Sequence, residues 1–346
     1  MVSTATLRLR NGISALASAL FFMGMYMGAC LSAGHALELG LPLQCELGKT
    51  CWVVNFVDLD PGKGVRDHAC TAYSYDGHKG TDFAIRDLKA MEAGVPVIAA
   101  APGTVKAVRD GMADVDVNER GKLSVSGREC GNGVVISHEQ GWETQYCHLK
   151  KGSISVRQGD VVPRGQQLGL VGHSGLAQFP HVHLSVRNEK KVIDPFISAS
   201  PGGECGDGTG PLWQAGLAAE MAAPPSAIFN AGFAAKAPRP KAIRAGLYKD
   251  KVLSRQAPAL VLWADIYWPL VGDQLQMRIF GPDGDLIFEH ISNIPKTQAR
   301  RLIFAGKKRK SLFWPTGDYR GEITLVRRDS SGPGLTIGQM RRVTLK

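Results

Sequence analysis

Beyond its first 36 residues the chain has no apolar run long enough to span a bilayer, so no membrane-spanning helix is expected there. It has no Cys-x-x-Cys pair, which leaves a cysteine-held metal without support. No internal repeat is convincing and no low-complexity tract is long enough to matter, so a repeat array is not the plan. Acidic residues are in short supply: 31 Asp and Glu face 41 Lys and Arg, a formal charge of +10. That balance suits a polyanionic partner (nucleic acid, an acidic membrane surface or an anionic wall polymer), and it also serves plain solubility.

What is present begins with residues 1–36, which differ in kind from the rest. Arg8 and Arg10 precede the apolar "ISALASALFFMGMYMGACLSA", and Gly34 and Ala36 supply small residues behind it. This is the grammar of a secretory signal peptide cleaved after Ala36, with an uncleaved membrane anchor as the alternative reading. A lipid-modified Cys30 is disfavoured by Met27 three residues earlier. An exported protein, in a periplasm or cell envelope, sets nucleic acid aside as the polyanion, and no stable membrane insertion is expected once the leader is gone. Cys45, Cys51, Cys70, Cys130, Cys147 and Cys205 then remain, an even set that reads as disulfides in an oxidising compartment. Six cysteines allow fifteen pairings. One has a geometric argument: "CGNGVVISHEQGWETQYCHL" reads as a hairpin turning at Glu139 to Gly141, which brings Cys130 close to Cys147.

A chain of 346 residues has room for about two domains. From about Leu37 to Ile197, short apolar runs alternate with Gly and Pro turn signals, as in "VPVIAAAPGTVKAV", "GNGVVISH" and "HVHLSV". These are strands, and the domain reads as all-β. One helical candidate, "IRDLKAMEAG", starts at Ile85 and ends at Gly94, and "GMADVDVNERGKLSVSGRE" is a polar excursion. Residues 37–74 form an N-terminal extension to a main domain at 75–200, and the Gly-, Pro- and Ala-rich 201–240 reads as a linker. Alternation such as Leu275, Met277, Ile279, with the turn "GPDGD", predicts a small β-sandwich over 241–346.

The stretch "QFPHVHLSVR" carries the chemistry. Successive strand side chains alternate faces, so His181 and His183 point to one side and Val182 and Leu184 to the other. Alone, such a pair would be read as surface histidines. A second cluster, His78 and Asp82, lies in "YDGHKGTDFAI", and His148 follows in "QYCHL". Catalytic zinc commonly takes three His, Asp or Glu ligands and keeps a position open for water, whose pKa it lowers to about 7. Such a hydroxide can attack an amide carbonyl.

With these motifs in order, the chain resembles the lysostaphin-type, LytM-like zinc metalloendopeptidases, which cut peptide bridges of bacterial peptidoglycan. "HKGTD", "GNGVVISHEQGWETQYCHL", "VRQGDVVPRGQQLGLVGHSG", "PHVHLSV" and "VIDPF" carry the resemblance, from about Tyr75 to Phe196. It implies an antiparallel, barrel-sandwich-like β-sheet domain and one zinc per chain held by His78, Asp82 and His183. It leaves His148 and His181 around the water and the substrate carbonyl, one to take the proton and one to steady the oxyanion, without saying which does which. Cys147 replaces a glycine common in the family, and "AQFPHVH" replaces a more common Ser/Thr-Gly-Pro lead-in; neither removes a ligand.

The function implied is an exported zinc metalloendopeptidase that hydrolyses peptidoglycan cross-links by metal-activated water, with peptidoglycan as its partner. The alternative is a non-enzymatic wall-binding or hydrolase-activating protein that keeps the fold. The bond cut and the oligomeric state are left open by these motifs. His68, His138, His173 and His290 have no partner pattern and are assigned structural roles. Trp263, Tyr267 and Trp268 are assigned to core packing ahead of glycan stacking. Asn55, Asp58 and Asp60, upstream of the site, are candidates to cover the metal in a latent form.

Overall fold

The computed structural model describes residues 37–203, 205, 210–221, 226–328 and 334–346. The leader and Cys30 lie outside the described residues, among which no helix is long and apolar enough to cross a membrane.

The first half is built on one antiparallel sheet. Its strands run, in spatial order, Cys51–Asn55, Thr81–Ile85, His181–Asn188, Trp142–Leu149, Asn132–Ser137, Gly103–Arg109 and Val161–Val162, with Lys191–Ile193 paired onto His181–Asn188. A second pair, Pro96–Ile98 with Gln167–Leu170, closes beneath it. Val- and Ile-rich runs supply these strands because branched side chains pack well on a pleated surface. Val134, Ile136, Tyr146, Val182 and Leu184 are fully buried in the core on one face. The alternation within "HVHLSV" therefore sends Val182 and Leu184 into that core and turns His181 and His183 to the opposite face.

The expected all-β, antiparallel architecture is what the chain forms; the one parallel pairing among the named strands is Val252–Leu253 on Leu335–Leu345. The hairpin expected at Glu139–Gly141 turns there through a single 3-10 turn, and Cys130 is bonded to Cys147. The other disulfides join Cys45 to Cys51 and Cys70 to Cys205. The helix expected from Ile85 is shorter, Leu88–Ala93, because Asp87 caps it by accepting from the Ala90 amide while Ile85 is held in a strand.

Two stretches differ from their compositional reading. The extension before residue 75 is not separate: Cys51–Asn55 is the first strand of the main sheet, paired with Thr81–Ile85. Within the Ala- and Gly-rich stretch read as a linker, Ala227–Ala234 is a strand paired along its length with Ala259–Tyr267. Cross-strand pairing overrides its weak intrinsic preference.

That strand belongs to the C-terminal sandwich. A three-stranded sheet of Ala227–Ala234, Ala259–Tyr267 and Arg300–Lys308 faces a five-stranded sheet that includes Gln274–Phe280, Gly317–Arg327 and Leu335–Leu345. Leu262, Met277, Ile279, Ile323 and Leu325 fill the space between them. The sandwich joins the first half through aromatics. Phe229, Tyr267 and Trp268 are buried with the core of the main sheet, the Trp268 Nε1–H donates to the Val54 carbonyl, and Tyr73 meets Trp268 edge-on with ring centres 5.4 Å apart. Trp263 is also buried, so all three aromatics assigned to packing do pack.

Candidate active site

The register of the central strands sets the site. Asn55 lies opposite Asp82, Asp82 opposite His183 and His183 opposite Cys147, one row across four strands. Residues directly opposite in antiparallel strands share a face, so Asn55, Asp82 and His183 converge. His78 reaches the same point from the loop before Thr81–Ile85.

Three donor atoms meet there. His78 Nε2 is 3.2 Å from Asp82 Oδ1 and 3.0 Å from His183 Nδ1, which is 3.0 Å from the same carboxylate oxygen. His78 Nδ1–H donates to the Phe56 carbonyl at 2.6 Å, which fixes the ring and leaves Nε2 as a lone pair in the neutral form. Asn55 Nδ2 donates to Asp82 Oδ2 at 2.8 Å, so Oδ1 is the oxygen aimed at the imidazoles. Gly80 makes room, since a Cβ there would stand 2.6 Å from His183 Nε2 and from the Leu184 carbonyl. Ser185 Oγ donates to the Lys79 carbonyl at 2.7 Å and ties this loop to the neighbouring strand.

Two further imidazoles flank the cluster. His148 and His181 have ring centres 4.6 Å apart, and His181 Nε2 is 3.6 Å from Asp82 Oδ1. His148 Nδ1–H donates to the Ser174 carbonyl and His181 Nδ1–H to the Phe179 carbonyl, each at 2.8 Å. Both therefore turn Nε2 away from these anchors. His148 has φ +64°, a left-handed backbone that costs of order 1–3 kcal/mol outside glycine. It is held by its own N–H, which donates to the Cys130 carbonyl at 2.8 Å, next to the Cys130–Cys147 bond.

The electrostatics follow from burial and crowding. Burial alone would raise the Asp82 carboxyl, but His78, His181 and His183 hold it well below the usual carboxylate range. For His78, burial lowers the imidazole pKa, and the Asp82 charge and hydrogen bond outweigh that to leave it raised. Burial, reinforced by His181 and His183, pushes His148 far below the ordinary histidine value, and burial also lowers His183.

The donor set fits a cation. Two nitrogens and an oxygen sit 3.0–3.2 Å apart, close to the roughly 3.3 Å edge of a tetrahedron with zinc-type bond lengths. Among the described residues this is the one His/Cys/Asp/Glu group whose ligand atoms gather this closely.

The sequence profile of peptidase family M23 matches residues 76–195, the stretch that carries all five of these side chains. Residues 76–195 are an M23 domain. Two curated relatives each match over a little more than a third of the chain. The peptidoglycan DD-endopeptidase ShyA of Vibrio cholerae is 35% identical over 130 residues, which is 36% of this chain and 25% of that protein. A metalloprotease of Haemophilus influenzae described as uncharacterized is 29% identical over 129 residues, 37% of this chain and 22% of that one. The chain thus spans a quarter or less of the length of these curated relatives. Among solved structures, a zinc-containing peptidase from Vibrio cholerae is 26% identical, with a TM-score of 0.26 over 42% of this chain and 39% of that one. The catalytic domain of lysostaphin from Staphylococcus simulans is 20% identical, with a TM-score of 0.26 over 40% of this chain and 85% of that one.

Three of the other histidines have partners outside this cluster. His138 bonds the Pro102 carbonyl and Thr144, His68 stacks on Phe196 at 4.3 Å, and His290 bonds Ser292. Of the three residues considered as covers, Asp58 is spent on backbone amides: Oδ1 accepts from Asp60 and Arg66, Oδ2 from Gly77. It shapes the turn before His78. Asp60 accepts from the Gly62 amide. Asn55 alone reaches the cluster, as a brace behind Asp82, and the Phe56 carbonyl that orients His78 was not visible in the motifs at all.

Proposed function

We propose that the chain is an exported zinc metalloendopeptidase that hydrolyses peptide cross-links of bacterial peptidoglycan. His78, Asp82 and His183 hold the metal, and His148 and His181 act on the substrate. The observation that carries the reading is the convergence of His78 Nε2, Asp82 Oδ1 and His183 Nδ1 within an M23 domain. A zinc ion held by these three side chains would supply Lewis acidity toward water and an amide carbonyl. The rest is the work of this chain's own side chains. His148 and His181, anchored through Nδ1, each present Nε2 to the reacting groups, so that a proton can be accepted at one and donated at the other. Asn55 keeps Asp82 in one rotamer by occupying Oδ2. His78, Asp82, His148 and His181 are buried, which strengthens each of these interactions. The relatives named for peptidoglycan endopeptidase activity support the substrate class.

Metal content of the purified mature chain, measured together with release of soluble peptides from isolated peptidoglycan with and without a chelator, tests this reading. About one zinc per chain and chelator-sensitive release are expected. A folded chain with neither would make it a wall-binding or activating module instead.

A further inference from the structure

A cleft of about 430 Å³ adjoins the site where the sandwich meets the M23 domain, lined among others by Asn55, Phe179, Arg244, Tyr267, Gln298 and Arg300. It borders the reaction centre through two of its wall residues. Asn55, on its wall, donates to Asp82, and the Phe179 ring lies 4.6 Å from His181 and 6.3 Å from Tyr267. Its lining holds two guanidinium groups and no acidic side chain. Arg300 spends Nε and Nη2 on Asp265, which fixes its plane and leaves Nη1 without a partner among the described residues. Arg244, at the end of the helix Pro240–Arg244, has no hydrogen bond or ion pair among the described residues. Tyr267 is 2% exposed, yet its hydroxyl also has no hydrogen-bond partner among them. Arg244 is exposed and Arg300 part-buried, so these uncommitted N–H groups are open to an acceptor that enters the cleft.

We propose that this cleft binds a carboxylate of the peptide substrate next to the scissile bond, which makes the C-terminal sandwich a specificity element of the M23 site. The inference rests on the peptidase reading above for what the substrate is. The Arg244 fork, the free Nη1 of Arg300 and a phenol hydroxyl match a planar carboxylate, and Phe179 supplies an apolar floor between the cleft and His181.

The test uses two forms of one cross-linked peptide that differ only in a carboxylate or a carboxamide beside the cross-link. Binding to the full chain is measured by calorimetry with chelator present, so that nothing is cleaved. The carboxylate form should bind the wild type roughly 10- to 100-fold more tightly than the carboxamide, and Arg244→Gln should shrink that ratio to roughly threefold or less. Tyr267→Phe, which keeps the ring, should lower it by a smaller factor. Equal binding of the two forms, a ratio untouched by Arg244→Gln, or no binding of either form overturns the assignment. The same peptides with metal restored separate the two readings. Selective binding without cleavage keeps the cleft and sinks the peptidase, whereas cleavage of both forms at equal rates keeps the peptidase and sinks the cleft.

Discussion

Both halves of the molecule bury carboxylates, and they neutralise them on different terms. In the sandwich, Asp265 is gripped by Arg300, and Asp273 by Arg327 through Nε and Nη2 at 2.8 Å each. A guanidinium cannot give up its proton at ordinary pH, so those ion pairs offer no lone pair to a cation. Asp82, 1% exposed, has no such partner; it meets one amide and three imidazoles. Imidazoles can release their protons and offer lone pairs, which is the condition for a cation to enter. What surrounds a buried acid thus separates a residue that holds the fold from one that waits for a ligand.

The sharpest way to break this contrast is to remove the acid on each side. Asp82→Ala, or His183→Ala, should abolish bound metal and bring peptide release to the background level while the circular dichroism spectrum stays that of the folded chain. Either variant retaining metal and release would show that Asp82 is one more structural acid. Asp265→Ala should do the reverse. It leaves the Arg300 side chain, 17% exposed, without its partner, which costs about 3–5 kcal/mol. The urea midpoint reads this directly, and a loss well under 1 kcal/mol would mean that Arg300 finds solvent without Asp265.

The same contrast explains what could be read in advance. Period-two alternation was enough to put His181 and His183 on one face, and the hairpin length was enough to pair Cys130 with Cys147, because both depend on local geometry. The sandwich strands were legible for the same reason: Gln274–Phe280 buries every second residue. Thr81–Ile85 is buried throughout, so covered polar positions look no different in sequence from a fully apolar strand. Asn55 was harder still, since its role depends on a register 27 residues away. Ala227–Ala234 looked like a connector because Ala and Gly pack as a strand only once a partner exists, and the left-handed backbone of His148 has no signature in "QYCHL".

A third buried acid sharpens the comparison through pH. Asp194 is fully buried, accepts the Phe196 amide at Oδ1, and leaves Oδ2 without a partner among the described residues. Burial pushes its pKa from the ordinary 3.8 up to about 7, against the pull of the Phe196 and Ile197 amides. The folded chain therefore holds a proton that the unfolded chain has lost, so this acid lowers stability as pH rises from near 4 through 7. Between pH 5 and pH 8 the loss should be about 2–3 kcal/mol, and Asp194→Asn should flatten it. Identical pH profiles of the urea midpoint for variant and wild type would refute the assignment.

The smallest expected effect concerns the amide beside Asp82. If Asn55 braces a metal ligand, Asn55→Ala frees Oδ2 and lets the carboxylate rotate, at a cost of about 10- to 100-fold in zinc affinity, the range typical when the group behind a ligand is removed. If instead Asn55 covers the metal as a latency device, the same substitution should strengthen zinc binding and raise peptide release. A competition titration against a chelator of known affinity distinguishes the two by sign. The hydrogen bond to Oδ2 favours the brace, because an amide already donating to the carboxylate holds that ligand in the orientation that keeps Oδ1 between His78 and His183.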